Sequence, residues 1–274
     1  MFGWFEESEE IIEEVVPKNE IDFSNFHTIA EFFYEHSGIT DLDKRVLSFS
    51  WLKQYALDKN INTTADFLEI LNQKGDVYQD AINIVTVNET YFFREKKELE
   101  YLVEFIKNSP KKLKIISLPC SSGEEIYSIL IMMQENNIPL DKIEITGYDI
   151  DLDMIKKAKL GIYNEYSLHN LEQRIVDCYF TKIDNSMFEV KEFLKSNIDF
   201  KQQNIFEIEN VYDKYDVVLS RNMMIYFDDK KRAEAMQVIT NILRKDGIFI
   251  KGHADSLKVC EKLENVTFGI FKKI

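Results

Sequence analysis

From about residue 112 the chain alternates short apolar runs of strand character with amphipathic helical segments, and such alternation builds a mostly parallel sheet covered by helices on both faces. "KLKIISL" and "KIEITGYDI" read as strands, with "EEIYSILIMMQEN" between them as a helix. "LDMIKKAKLG" is helical, and "IDFKQQNIF" and "YDVVLSRN" are strands. In "DKKRAEAMQVITNILRKDG" the residues Ala235, Val238, Ile239 and Ile242 follow the i, i+3, i+4, i+7 pattern of a helix. Gly247 is expected to close that helix region, "IFIKG" to return as a strand, and the final "VTFGIFKKI" to be one more. In a sheet of this kind the ligand lies at the carboxyl ends of the strands, where the strand order reverses.

The residues before the sheet follow a different rhythm. Apolar residues recur at helical spacing from Phe26 through Ile29 to Phe33, Gly38 reads as a stop, and "DLDKRVLSFSWLKQYAL" continues in the same style. Thr63 or Thr64 is placed to cap a helix through "ADFLEIL". The sequence therefore divides into an acidic leader over 1–21, a helical domain over 22–85 and a sheet domain over 86–274, with no Pro- or Gly-rich linker between the last two. Residues 162–200, too long for a simple connection, read as an insertion, a small hairpin subdomain around "RIVDCYFTKIDNSMFEVKEF".

Charge and composition exclude several kinds of function. The net charge of −14 repels a phosphate backbone, so nucleic acid is not an expected partner. Part of that charge is local, because residues 1–20 carry seven Glu against Lys18 alone. Cys120, Cys178 and Cys260 are odd in number, widely spaced and without a CxxC pair, which suggests neither a disulfide framework nor a zinc site and fits a reducing cytoplasm. No metal site is expected. No apolar run approaches the roughly 20 residues of a membrane span, and "MFGWFEESEE" lacks the flanks of a signal peptide.

The loop "PCSSGEE" sits between the first strand and first helix of the sheet, where small residues admit a close ligand and helix-start amides are free to donate. A dinucleotide pyrophosphate normally takes several glycines, and here there is only Gly123, followed by two acids. Glu124 and Glu125 suit a cationic ligand or one rich in hydroxyl and amine donors. In "GYDID", Asp149 stands 26 residues after Gly123, close to the spacing at which a carboxylate takes ribose hydroxyls. An adenosyl group bearing an ammonium and a sulfonium, S-adenosylmethionine, meets these constraints together. Arg221 and Asn222 in "SRNMMIYF" emerge at the end of a buried strand, on the cofactor rim or as a means of satisfying loop carbonyls. "NETYFFRE" joins three aromatic residues to Arg94, as pocket or as a hydrophobic staple onto the first helix.

Taken in order, "NETYFFRE", "PCSSGEEIYS", "GYDID", "RNMMIYF" and "GHADSL" make the chain resemble the CheR-type methyltransferases, bacterial enzymes that move a methyl group from S-adenosylmethionine to receptor glutamates in chemotaxis. The resemblance spans about residues 22–257 and implies a Rossmann-like methyltransferase sheet, a helical N-terminal domain and an inserted β-subdomain. It implies that Asn88, Thr90, Arg94, the loop around Gly123, and Glu125 bind the cofactor, with Asp149 at the ribose. Asn204, Ile205, Arg221 and Asn222 line the same site by that likeness, and Arg94 and Tyr226 lie nearest the transferred methyl. The implied partners are receptor cytoplasmic domains, met by a monomer without membrane insertion. Family members use a basic N-terminal helix for docking, and the corresponding stretch here is only mildly basic, at Lys44, Arg45, Lys53 and Lys59.

Glutamate methylation also accounts for what is absent. A carboxylate with a pKa of about 4.3 is ionised at neutral pH, so the reaction needs no general base. Of His27, His36, His169 and His253 only the last falls in a motif, where it reads as tying a strand end, and no Ser-His-Asp set is visible. Cys120 reads as a small residue closing the turn rather than a nucleophile. Two other functions remain open on the same residues: a non-catalytic module that senses the cofactor, and a small-molecule methyltransferase.

Overall fold

The computed structural model describes residues 26–42, 45–86, 88–256 and 260–274. The acidic leader, Lys44 and the last residue of "GHADSL" lie outside them. Helices α1 (Phe26–Ser37), α2 (Val46–Asp58), α3 (Thr64–Asn72) and α4 (Asp76–Val85) close around a core of their own, in which Phe33, Leu52, Phe67, Leu71 and Ile82 are buried. Gly38 ends α1 with φ +72°, its N–H donating to the Tyr34 carbonyl at 2.9 Å. That left-handed conformation favours glycine, and a Cβ there would also stand 2.6 Å from the Phe206 ring of the sheet domain. Thr63 is the cap of α3, its hydroxyl accepting the Asp66 N–H at 3.1 Å.

The sheet domain opens with α5 (Lys96–Asn108), β1 (Leu113–Ser117), α6 (Glu124–Glu135), β2 (Ile143–Asp149) and α7 (Leu152–Leu160). β3 (Ile162–Asn164), α8 (Glu165–Leu168), α9 (Gln173–Tyr179), β4 (Phe180–Lys182) and β5 (Met187–Val190) then interrupt it. The three short strands pair antiparallel in the order β3-β5-β4, a sheet separate from the main one. β6 (Ile198–Gln202), β7 (Tyr215–Ser220), α10 (Asp229–Ile242), β8 (Leu243–Lys251), β9 (Leu263–Thr267) and β10 (Ile270–Lys273) complete the chain.

Among the described residues the main sheet runs β6-β2-β1-β7-β8-β10-β9. Its first five strands pair in parallel, while β10 pairs antiparallel with both β8 and β9. Val217, Val218 and Leu219 are fully buried, as a strand covered on both faces requires. From β1 the chain moves outward to β2 and β6, then returns to β7 on the other side. The strand order therefore reverses between β1 and β7, and a crevice opens above their carboxyl ends.

Two local expectations change. The final stretch is a hairpin rather than one strand, because Gly269, at φ +76°, lets the chain reverse between β9 and β10. Gly247 does not close α10, which ends at Ile242 as Leu243 pairs with Tyr215. It lies inside β8, where a Cβ would come within 2.9 Å of the Asp216 carbonyl, so close approach of backbone is what that position demands.

Candidate functional site

The loop after β1 is held by the end of β2. Ser121 donates its N–H to Asp149 Oδ2 at 2.8 Å, Asp151 donates its N–H to Oδ1 at 2.9 Å, and the Cys120 N–H reaches the Tyr148 carbonyl at 2.8 Å. Asp149 is buried, and burial pushes its pKa up to about 7 in spite of those amide donors. Cys120 is buried as well, and burial, followed by the charges of Asp149 and Glu125, raises its thiol pKa well above the ordinary value. A thiolate nucleophile is disfavoured there.

The two acids that follow the loop part company. Glu124 turns away into the protein, where Ser122 Oγ donates to it at 2.8 and 3.0 Å and Ser167 Oγ at 3.3 Å. Glu125 faces the crevice, taking the Ser117 hydroxyl at 2.8 Å and the Arg221 guanidinium at 2.7 Å. The expectation of two acids facing the ligand is thus corrected to one, and that one is already paired. Gly123 starts α6 at φ +92°, and a Cβ on it would meet Ala158 and Phe200 at 3.1 Å. The glycine serves the turn and its packing from behind, outside the residues that line the crevice.

Arg221 organises the opposite rim. Its side chain is only 4% exposed and donates to the Arg94 carbonyl at 2.5 Å and to Glu95 Oε2 at 3.1 Å, besides its bond to Glu125. Arg221 therefore satisfies loop carbonyls and pins the "NETYFFRE" turn in which Phe93 and Glu95 adopt left-handed φ values of 58° and 48°. Burial works to raise the Glu95 pKa, but the Arg221 charge and the donors from Asn222 and His253 outweigh it and hold it below its ordinary value. Asn222, at φ 60°, gives its N–H to Asp255 Oδ2 at 2.6 Å and its Nδ2 to Glu95 Oε1 at 3.3 Å. Gly252 admits this approach, since a Cβ there would stand 2.7 Å from the Asn222 nitrogen. His253 ties the end of β8 to α5, its N–H donating to Glu95 at 3.1 Å and its Nε2 lying 2.6 Å from Glu98 Oε1. In "NETYFFRE" itself Phe92 is core, whereas Tyr91 and Arg94 line the crevice with the Arg94 guanidinium 5.7 Å from the Tyr91 ring centroid.

The helical domain and the segment that follows α4 supply the remaining wall. Asn88 reaches Asp151 at 2.8 Å and Thr86 at 3.1 Å. Asn204 caps a short turn through the Phe206 N–H at 3.0 Å and donates its Nδ2 to the His36 carbonyl at the end of α1. Tyr226 accepts both the N–H and the hydroxyl of Thr40 on its carbonyl, each at 2.9 Å. Burial raises the phenol pKa of Tyr226 against the lowering charges of Arg45 and Arg94. The crevice so enclosed is about 1300 Å³ counting its open mouth, and Asn88, Thr90, Arg94, Glu125, Asp149, Asn204, Ile205, Arg221, Asn222 and Tyr226 all lie on its wall. Ser121 of the loop after β1 joins them, as do Ser37, Ile39, Tyr148 and Gln203, which the sequence reading did not name individually. Gly38 was the available signal for Ile39, a helix stop whose next residue must go somewhere, but only the junction shows where. The docking helix departs from expectation too: Arg45 turns to Tyr226, while α2 exposes Val46, Leu47 and Trp51 at 70%, 67% and 58%.

Residues 88–270 match the family described as CheR methyltransferase, SAM binding domain. The chain belongs to the CheR methyltransferase family. A chemotaxis protein methyltransferase of Campylobacter jejuni is 31% identical over 245 residues, covering 89% of this chain and 92% of the relative. Chemotaxis protein methyltransferase 2 of Vibrio cholerae is 34% identical over 242 residues, covering 85% and 83%. The chemotaxis protein methyltransferase of Escherichia coli is 27% identical over 247 residues, covering 87% and 86%. Membership makes S-adenosylmethionine the ligand to test against the crevice, and the residues fit it. Ser121 Oγ is buried without a partner among the described residues, and Asp149, buried beside it, borders the same space. Among the described residues no helix is long and apolar enough to cross a membrane.

Proposed function

We propose that this chain transfers a methyl group from S-adenosylmethionine to glutamate side chains of chemotaxis receptors, forming glutamate methyl esters. The observation that carries the reading is the meeting of Asp149, Glu125, Asn204 and Asn222 with Arg94 and Tyr226 in one crevice, above the point where the strand order reverses. When bound, the cofactor supplies a methyl carbon activated by positive sulfur. Asp149 holds ribose hydroxyls, Asn88, Thr90, Asn204, Ile205 and Asn222 bound the adenosyl group, and Arg221 and Glu125 keep both rims in register. Gly123 gives the loop its turn.

Arg94 and Tyr226 orient the acceptor. With the cofactor bound, an acceptor carboxylate oxygen held by Arg94 and Tyr226 would bond to the methyl carbon as the C–S bond broke, the bonding pair remaining on the departing sulfur. No proton moves, so none of the four histidines is required as a base. The chain's contribution is position: holding nucleophile and methyl in line supplies roughly 7–11 kcal/mol of the barrier when geometry is right. The test is to incubate purified protein with methyl-labelled cofactor and receptor cytoplasmic fragments, then to treat the product with alkali. Label released as methanol supports the reading. Cofactor binding without receptor labelling would leave a sensing module or a small-molecule enzyme in its place.

A further inference from the structure

We propose that the inserted subdomain is a working part of the cofactor site: Tyr163 of β3 and Ser167 of α8 hold the bend after β1 in its binding geometry, which makes Tyr163 a positioning residue for S-adenosylmethionine. The inference rests on the cofactor reading above. The bend is built on unfavourable backbone. Ser121, on the crevice wall, adopts φ 46°, and Gly123, two residues on, adopts φ +92°. A left-handed residue other than glycine persists only where its surroundings over-determine it. From the sheet comes one hold, Asp149 accepting the Ser121 N–H at 2.8 Å.

The insertion supplies further ones. Tyr163 is 3% exposed, and its hydroxyl donates to the Ser122 carbonyl at 2.7 Å. Burial, followed by the charge of Glu124, raises the Tyr163 pKa well above its ordinary value, so the hydroxyl keeps the proton it donates. Ser167 Oγ reaches Glu124 at 3.3 Å, the same carboxylate that takes the Ser122 hydroxyl. The facing wall leans on the same element. The Ser167 carbonyl accepts the Phe92 N–H at 2.9 Å, and the Phe92 ring meets the Tyr163 ring edge-on with centroids 4.9 Å apart. Phe92 directly precedes Phe93, which like Glu95 is left-handed. Two strained segments that border the crevice are thus braced from one side by the insertion. Neither Tyr163 nor Ser167 lies on the crevice wall, so both act through the backbone they hold.

The test compares Tyr163→Phe, which keeps the ring and removes the donor, with Val190→Ala, which removes buried volume from β5 and none of these bonds. Both are read by calorimetry with S-adenosylhomocysteine, by urea unfolding, and by the separate KM values for cofactor and receptor fragment. Tyr163→Phe leaves the Ser122 carbonyl without its donor and is expected to weaken S-adenosylhomocysteine binding about five- to ten-fold. The cofactor KM should rise alike, with the receptor-fragment KM unchanged. Val190→Ala is expected to lower the urea midpoint and leave the affinity as it was. Native affinity in Tyr163→Phe, or an equal loss in Val190→Ala, would overturn the assignment. Should Tyr163→Phe not fold, Ser167→Ala decides: binding weakened about two-fold or more supports the inference, and native binding overturns it. A native chain that takes up no S-adenosylhomocysteine sinks the cofactor reading itself, whereas a binding native chain with an indifferent Tyr163→Phe sinks only this inference.

Discussion

The two walls of the crevice are built on different principles. On the sheet side, Arg221 is buried among Glu95, Glu125 and the carbonyl of Arg94, and both glutamates are in turn held by another partner. On the helical side, contact runs through a glycine turn, the Thr40 bonds to the Tyr226 carbonyl, single side-chain bonds such as Asn204 to the His36 carbonyl and Asn83 to Asp153, and surface pairs such as Tyr34 with Asp228 and Lys74 with Glu207. The first wall is over-determined and holds the cofactor-side geometry. The second is the more lightly attached, which suits the macromolecular acceptor proposed for this chain.

That contrast breaks first if Arg221→Ala proves mild. Its loss leaves two largely enclosed carboxylates, each 12% exposed, without their cation, and about 3 kcal/mol of stability should go with it, read as a lowered urea midpoint at unchanged slope. Gly38→Ala attacks the lighter wall. A left-handed φ of +72° and a Cβ 2.6 Å from Phe206 should together cost about 2 kcal/mol, through the 1–2 kcal/mol expected of the backbone alone and the displaced ring. A result as large as that for Arg221→Ala would mean that the two walls are equally constrained.

Asp149 sharpens the comparison through pH. Its ordinary pKa is about 3.9, and burial raises it to about 7, so between those values the folded chain holds a proton that the unfolded chain has released. This group's contribution to stability is therefore greatest below the unfolded value and declines as pH rises to about 7. Ribose hydroxyls donating to the carboxylate favour its ionised form. Cofactor binding should then expel a proton near neutrality and tighten as pH rises through about 7, levelling off above it. Calorimetry in two buffers of different ionisation enthalpy reads that proton, and a pH-independent affinity would remove Asp149 from the ligand. The smallest effect belongs to Lys74→Ala. Its partner Glu207 is half exposed, and thermal melting should show a loss below about 0.5 kcal/mol.

Much of the fold was legible because periodicity reports burial. Alternating runs marked the parallel strands, and Ala235, Ile239 and Ile242, chosen by helical spacing alone, are buried on α10. Where reading failed, local signals competed. Gly247 looks like a helix stop, yet pairing of Leu243 with the neighbouring strand ends the helix earlier. Gly269 sits inside a run of strand formers and turns it into a hairpin. In the site, the position of the loop after β1 pointed to Glu124 and Glu125 alike and spacing pointed to Asp149, but the helix rotates Glu124 into the interior and leaves only Glu125 on the crevice.

By itself, then, the sequence determined the order of strands and helices, the place of the loop after β1 and the set of polar residues at strand ends, since these follow from local pattern and chain direction. Only the tertiary structure decided which of those residues face one another. Arg221 and Glu125 lie 96 residues apart, and Arg45 and Tyr226 come from different domains. Contacts of that kind depend on how separately formed elements pack, and no local periodicity encodes the distance between them.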